Sequence, residues 1–227
     1  MKEDRVFSEE ELEQMGKRTR DLIDEAIDNG ELERAKRLNH RMYAEFLSMH
    51  DFFRDWVTGL LSYIYENQGE QALDESMRQS LVAPFKSMVE AYEYADFRKK
   101  VEMLSMGLRG HLQPMEITED DEKVCIKMMP CGTGERLVDE GAYRPPKNFS
   151  LVKRPHVMTF GKSNCPVYCA HEPILEMLPI DWVGHPLWVV YPPEEKWGGC
   201  RFCVYKSTDS IPEEVYKRLG KKKPVSS

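Results

Sequence analysis

Residues 114–130, PMEITEDDEKVCIKMMP, mark the point at which the chain changes character. Short apolar runs on either side of an acidic turn predict two strands, at about 115–118 and 123–129. Further strands are predicted at 156–160, 187–191 and 201–206. The second half of the chain is therefore expected to contain a mostly antiparallel sheet.

The residues before this stretch follow a helical pattern. Ser8, with Glu11 three residues later, is typical of a capping box at the start of a helix. A long helix is predicted from about Glu31 to Glu66, and a third helical region, 71–108, contains Pro84, where we expect a break. Helices followed by a sheet predict an α+β fold, in which an N-terminal helical layer packs on the sheet.

The same boundaries give the expected domain organisation. The helical region covers residues 1–112, an α+β metal-binding region covers 113–215, and a flexible tail covers 216–227. A chain of 227 residues with 41% apolar composition can fill an ordinary core, so we expect one integrated domain.

Charge and hydropathy exclude several functional classes. The net charge of −7 gives no general attraction to phosphate backbones, so no nucleic-acid partner is expected. No stretch approaches the roughly 20 apolar residues of a membrane span, and the first residues lack the apolar core of a signal peptide. We therefore expect a soluble, cytoplasmic protein, whose cysteines are reduced and serve as ligands, nucleophiles or core residues.

All six cysteines lie after residue 124. They occur in three groupings, PCGTGERL (130–137), NCPVYCAH (164–171) and GCRFC (199–203), together with one isolated cysteine in the 123–129 strand. Each grouping adjoins a predicted turn or strand end, where a thiolate can point inward, and zinc accepts four sulfur or imidazole ligands. The predicted metal ligands are Cys131, Cys165, Cys169, His171 and Cys200. Thiolates also suit iron–sulfur clusters, so zinc is favoured with such a cluster as the alternative.

Two other cysteines are predicted to pack in the core, namely Cys125 and Cys203. Cys131 has three open interpretations. It is a small apolar filler, a metal ligand, or a thiol whose pKa is lowered by the N–H groups of the Cys-Gly-Thr-Gly loop, which would also hold an anion.

Acid–base and pocket residues complete the predicted site. His156 and Glu135 adjoin the cysteine-bearing segments and are the candidate catalytic residues. Phe53, Trp56 and Tyr63 belong to an apolar stripe on the long helix, which predicts either a core-facing side or the wall of a substrate pocket. An exposed helical layer would also allow a homodimer.

The order of these features resembles two known groups. Gly199 to Val204, and less closely Cys165 to His171, look like segments of the L-2-amino-thiazoline-4-carboxylic acid hydrolase-like proteins. The outline is also similar to the 4-vinyl reductase domain, a small-molecule-binding fold in which some members carry a cysteine-ligated zinc. The resemblance implies a ligand-binding α+β domain and makes ring hydrolysis possible, but the PCGTGERL and CPVYCAH segments match no standard motif of either group.

Three functions remain open from the sequence. The favoured one is a metal-dependent enzyme of hydrolase or lyase type that acts on a small organic molecule. The first alternative is a binding or sensing module in which zinc is structural. The second alternative is an iron–sulfur or thiol redox protein.

Overall fold

The computed structural model describes residues 6–194 and 199–224. The chain divides into two compact units, Met1–Trp56 and Val57–Ser227. Of the helices in the described ranges, none combines the length and the apolar character that crossing a bilayer requires.

The first unit is helical. It contains α1 (Glu9–Gly16), α2 (Thr19–Asp28) and the beginning of α3 (Leu32–Glu93). The predicted capping box is confirmed, because the Ser8 side chain accepts the Glu11 N–H at 3.1 Å and the Ser8 N–H donates to the Glu11 carboxylate at 2.8 Å.

In the second unit, α3 is interrupted where glycine makes it possible. Gly69 has φ 87°, in the left-handed region that favours glycine, and its conformation is not helical. The break expected at Pro84 does not occur, since α3 continues through this residue to Glu93. The next helix, α4 (Phe97–Arg109), begins after Asp96, whose side chain accepts the Lys99 N–H at 2.8 Å.

The predicted antiparallel sheet is confirmed. It is formed by β1 (Met115–Glu119), β2 (Lys123–Met128), β5 (Val189–Tyr191) and β6 (Arg201–Tyr205). The strand order is β1-β2-β6-β5, and every neighbouring pair is antiparallel. Three successive residues of β2 are buried, so both faces of this central strand are covered. The fold is α+β, as expected.

The strand predicted at 156–160 is wrong. These residues contain a 3₁₀ helix, Val157–Thr159, because His156 caps it. The His156 ring Nδ1 accepts the Met158 N–H at 3.3 Å, and the His156 N–H donates to Thr159 Oγ1 at 2.9 Å. A two-stranded pair that was not predicted, β3 (Leu151–Val152) with β4 (Cys165–Pro166), lies on either side of this turn in the sequence.

Three further helices lie between or after the strands. They are α5 (Gly134–Asp139), α6 (His171–Val183) and α7 (Glu213–Arg218). Tyr216 and Leu219 were predicted to lie in a flexible tail but are buried in the core of the second unit. The last residues of that predicted tail, 225–227, lie outside the described part of the chain.

The sheet also corrects the prediction for two cysteines. Cys125 in β2 and Cys203 in β6 are directly opposite each other, with their Cα atoms 4.0 Å apart, and they form a disulfide. Both are buried, as expected, but they are not free core thiols. The expectation that all six cysteines are reduced is therefore wrong for this pair.

Candidate functional site

The other four cysteines are free and occupy the ends of secondary-structure elements. Cys131 lies between β2 and α5, and Cys165 is the first residue of β4. Cys169 lies in the 3₁₀ helix Val167–Ala170 that precedes α6, and Cys200 immediately precedes β6. We refer to Cys131, Cys165, Cys169 and Cys200 as the four-thiol cluster.

The four thiols affect one another's ionisation. Burial raises the pKa of the Cys169 thiol well above its ordinary value, and neighbouring acidic groups raise it further. Those groups are the thiols of Cys165, Cys200 and Cys131 and the carboxylate of Glu172. Charges act on one another's ionisation over short distances, and each of these groups affects the ionisation of Cys169.

Two other members of the cluster behave in the same way. Burial raises the pKa of the Cys165 thiol, and the Cys200 thiol adds to this effect. Burial is also the main cause that raises the pKa of the Cys200 thiol. The negative charges of Glu172, Cys131 and, more weakly, Glu135 raise it further. In the absence of a cation, these buried thiols are therefore protonated at neutral pH.

Gly134 makes the close packing of the cluster possible. A Cβ atom at this position would lie 2.5 Å from the Sγ of Cys169, a separation that real Cβ atoms do not show. The Cys-Gly-Thr-Gly loop thus brings the start of α5 against a cluster thiol, which the sequence did not indicate. Thr133 between the glycines lies beside the cluster, with its Oγ1 3.9 Å from the Cys131 Sγ.

Glu135, a candidate catalytic residue from the sequence, contacts the Cys-Gly-Thr-Gly loop. Its Oε2 accepts the Cys131 N–H at 2.8 Å, so its carboxylate folds back over the loop. It also lies beside Gly199, where a Cβ would be 3.4 Å from the same oxygen. Glu135 and Cys131 are both half-buried, which gives this side of the cluster access to solvent.

His171 lies next to the cluster, but both of its ring nitrogens have protein partners. Nδ1 lies 2.6 Å from the carbonyl oxygen of Tyr168, and Nε2 lies 3.3 Å from a carboxylate oxygen of Glu172. Burial lowers the pKa of His171, but the charge and hydrogen bond of Glu172 outweigh it and the net shift is upward. His171 as a metal ligand stays a prediction, and Nε2 would have to leave Glu172 to act as one.

Glu172 is a site residue that sequence reasoning missed. Its carboxylate affects the ionisation of Cys169 and Cys200 and holds the His171 ring. The available signal was an acidic residue directly after CPVYCAH, at the start of a helix.

The remaining predicted residues lie in other environments. His156 uses one ring nitrogen as a helix cap, so its catalytic role stays a prediction. Phe53, Trp56 and Tyr63 are 48%, 55% and 62% exposed. These three side chains therefore do not face a core, which was one of the two predictions for the stripe. They could form the wall of a pocket only if another surface covered them.

The donor set fits zinc in chemistry, because zinc is commonly held by four thiolates. The positions of the side chains do not match a zinc site. Among residues 6–194 and 199–224, no three His, Cys, Asp or Glu side chains are arranged to hold a metal ion. Coordination would therefore require the thiols to close around the ion.

A cavity of the second unit is separate from the cluster. It has a volume of about 460 Å³ and is lined mainly by α3 and by Trp182 and Val183 at the end of α6. His171, at the other end of α6, is eleven residues from Trp182, about 16 Å along the helix. None of the four cysteines lines this cavity.

Comparisons with known proteins identify no relative, since the chain matches no protein-family model, no curated protein and no solved structure.

Proposed function

We propose that the chain is a metal-dependent enzyme, with zinc as the metal, that acts on a small organic molecule by hydrolytic or lyase-type chemistry. The observation that carries the proposal is the four-thiol cluster, in which residues from three distant parts of the sequence converge beside two carboxylates. As neutral thiols these side chains are readily buried, but as the thiolates that bind a metal they require a cation beside them.

The cluster supports distinct roles for its members. Cys165, Cys169 and Cys200 are buried and would hold the ion, whereas Cys131 is half-buried at the solvent side. Zinc held there would supply Lewis acidity. Glu135, whose Oε2 accepts the Cys131 N–H, would transfer protons in the reaction, and Glu172 contacts the His171 ring.

The test is a turnover assay with the zinc-loaded full chain. The probe is 2-amino-thiazoline-4-carboxylate together with related nitrogen- and sulfur-containing rings, and the product is detected by the gain in mass of one water molecule. We expect turnover in the wild type and its loss in Glu135→Gln, with zinc content unchanged. Equal turnover in the variant would contradict the role of Glu135, and zinc binding without turnover of any probe would contradict the enzyme proposal.

A second candidate is a small-molecule binding module with a structural zinc. Two observations favour it: four thiols can close a tetrahedral site, and the 460 Å³ cavity lies away from them. Trp182 and Tyr94 supply aromatic surface in that cavity, while Glu90 and Glu93 supply charge.

Calorimetry with a panel of aromatic amines separates this candidate from the enzyme. Binding that Trp182→Ala weakens at least tenfold would support a module that uses the cavity. The matched control is Trp56→Ala, since Trp56 is exposed outside the cavity. Weaker binding in the control instead would place the ligand on the predicted stripe.

A further inference from the structure

Part of α3 within the first unit exposes several large apolar side chains. The large side chains on one side are exposed, and we call this surface the aromatic face. It consists of Met42, Tyr43, Met49, Phe52, Phe53 and Trp56, which are 37–63% exposed. A charged residue on another side of the same helix, Arg54, is 4% exposed.

The buried charge is matched by partners on its own helix. The Arg54 guanidinium lies 2.9 Å from Asp55 Oδ1 and 3.5 Å from Asp51 Oδ1, and the His50 ring is 2.9 Å from Asp51. The Arg54 charge therefore has acidic partners one residue and three residues away on α3. The aromatic face has contacts within itself, since the rings of Phe53 and Trp56 stack at 6.0 Å and Phe52 lies at similar distances from both.

The spacing of the apolar residues indicates what covers this face. Met42, Phe46, Met49, Phe53 and Trp56 follow one another at steps of four, three, four and three residues. The average step of 3.5 is that of a coiled-coil seam, whereas a helix that faces a core follows 3.6. A seam of this kind is complementary to another helix.

We infer that the aromatic face is the interface of a homodimer, formed by the same face of a second copy of this chain. The exposed parts of the six side chains amount to roughly 700 Å² at ordinary side-chain areas, close to the ~800 Å² that each partner contributes to a stable complex. A two-fold interface needs one self-complementary patch. In an antiparallel pair centred on Met49, Phe52 would meet Phe46 and Trp56 would meet Met42, which places rings and thioethers together.

The test compares two methionines that are exposed on different helices. Met49 is 58% exposed on the aromatic face and Met106 is 67% exposed on α4, so neither Met49→Lys nor Met106→Lys should unfold the chain. The oligomeric state of each full-length variant is measured by analytical ultracentrifugation over a range of concentrations, and circular dichroism checks the helix content.

We expect a dimer in the wild type and in Met106→Lys, and a dissociation constant at least about tenfold higher in Met49→Lys and Phe53→Lys. A wild-type chain that stays monomeric at about 100 μM would overturn the inference, because an interface of this size should associate well below that concentration. So would a Met49→Lys variant that dimerises like the wild type. Neither outcome depends on metal, so the test is independent of the proposed function.

Discussion

The two groups of cysteines differ in the kind of backbone that carries them. Cys125 and Cys203 lie in regular strands, where the antiparallel register sets them directly opposite each other. The four-thiol cluster is carried by the ends of strands and by a 3₁₀ helix, where side chains can converge from several directions. Strand register produces a pair of opposed cysteines, whereas the four-thiol cluster depends on where loops and helix ends lie.

The largest effect is expected for the Cys169 thiol, because it interacts with every other member of the cluster. Cys169→Ser should reduce bound zinc from about one per chain to near zero. At a thousandfold excess of free zinc over its dissociation constant, the wild type would gain about 4 kcal/mol of stability that the variant lacks. Urea unfolding with and without zinc measures this difference.

The control for that prediction uses a chelator. Wild type and variant should unfold at similar urea concentrations once zinc is removed. A variant that keeps full zinc content would exclude Cys169 from the site and weaken the distinction between the two groups.

The disulfide should matter for stability and not for metal. Cys125→Ala with Cys203→Ala removes a link between residues 78 apart, which should lower the free energy of unfolding by about 2–4 kcal/mol. Zinc content should be unchanged, since these residues are paired with each other in the sheet. A loss of zinc in this double variant would show that the two groups are not independent.

A smaller effect is expected from the close approach of α5 to the cluster. In Gly134→Ala the new methyl group would meet the Cys169 Sγ, which should cost about 1–3 kcal/mol and weaken zinc binding about 10- to 100-fold. Gly107→Ala is the matched control, because no atom lies within 4 Å of its Cβ position. It should stabilise α4 by about 0.5–1 kcal/mol. Calorimetric titration with zinc and urea unfolding measure both variants, and similar behaviour in both would contradict the packing argument.

A pH-dependent effect is expected for a buried carboxyl outside the cluster. Burial raises the pKa of Glu176 from 4.5 to about 8, although the Arg218 guanidinium and the Val190 N–H act in the opposite direction. A carboxyl with a higher pKa in the folded state takes up a proton on folding, so its effect on stability is unfavourable as pH rises from about 4.5 to 8. The slope is at most about 1.4 kcal/mol per pH unit.

Glu176→Gln should flatten this slope, and the measurement is urea unfolding at several pH values. Glu214→Gln, which changes an exposed carboxyl on α7, is the control and should leave the slope unchanged. If the slope of Glu176→Gln equals that of the wild type, Glu176 is ionised in the folded protein and paired with Arg218.

Local signals in the sequence were sufficient for much of the fold. The capping box at Ser8 and Glu11 and the β1–β2 hairpin depend on residues close together in the chain, and both are present. The strand expected at 156–160 failed because His156 forms side-chain and main-chain caps that compete with extended structure. Pro84 did not end α3, whereas Gly69 did interrupt it.

The site was less accessible from sequence because it depends on long-range placement. Local turns singled out the four cysteines of the cluster one by one, but nothing in the sequence gave their mutual distances. Cys125 and Cys203 lie 78 residues apart in strands that pair with each other. The alternation of side chains along each strand does not show which residues of the two strands lie opposite, so this disulfide could not be predicted from the sequence. The aromatic stripe was recognised by its spacing, while its exposure depends on which side of α3 the rest of the chain covers.

The most direct test of the metal-site account is the metal content of the full chain, purified without added metal and measured by elemental mass spectrometry together with its visible spectrum. The account predicts about one zinc per chain and a colourless protein, with the zinc lost in Cys169→Ser. Iron together with visible absorbance would indicate an iron–sulfur cluster in place of zinc and would favour a redox function. A protein that contains no metal and takes up none when zinc is added would contradict the account.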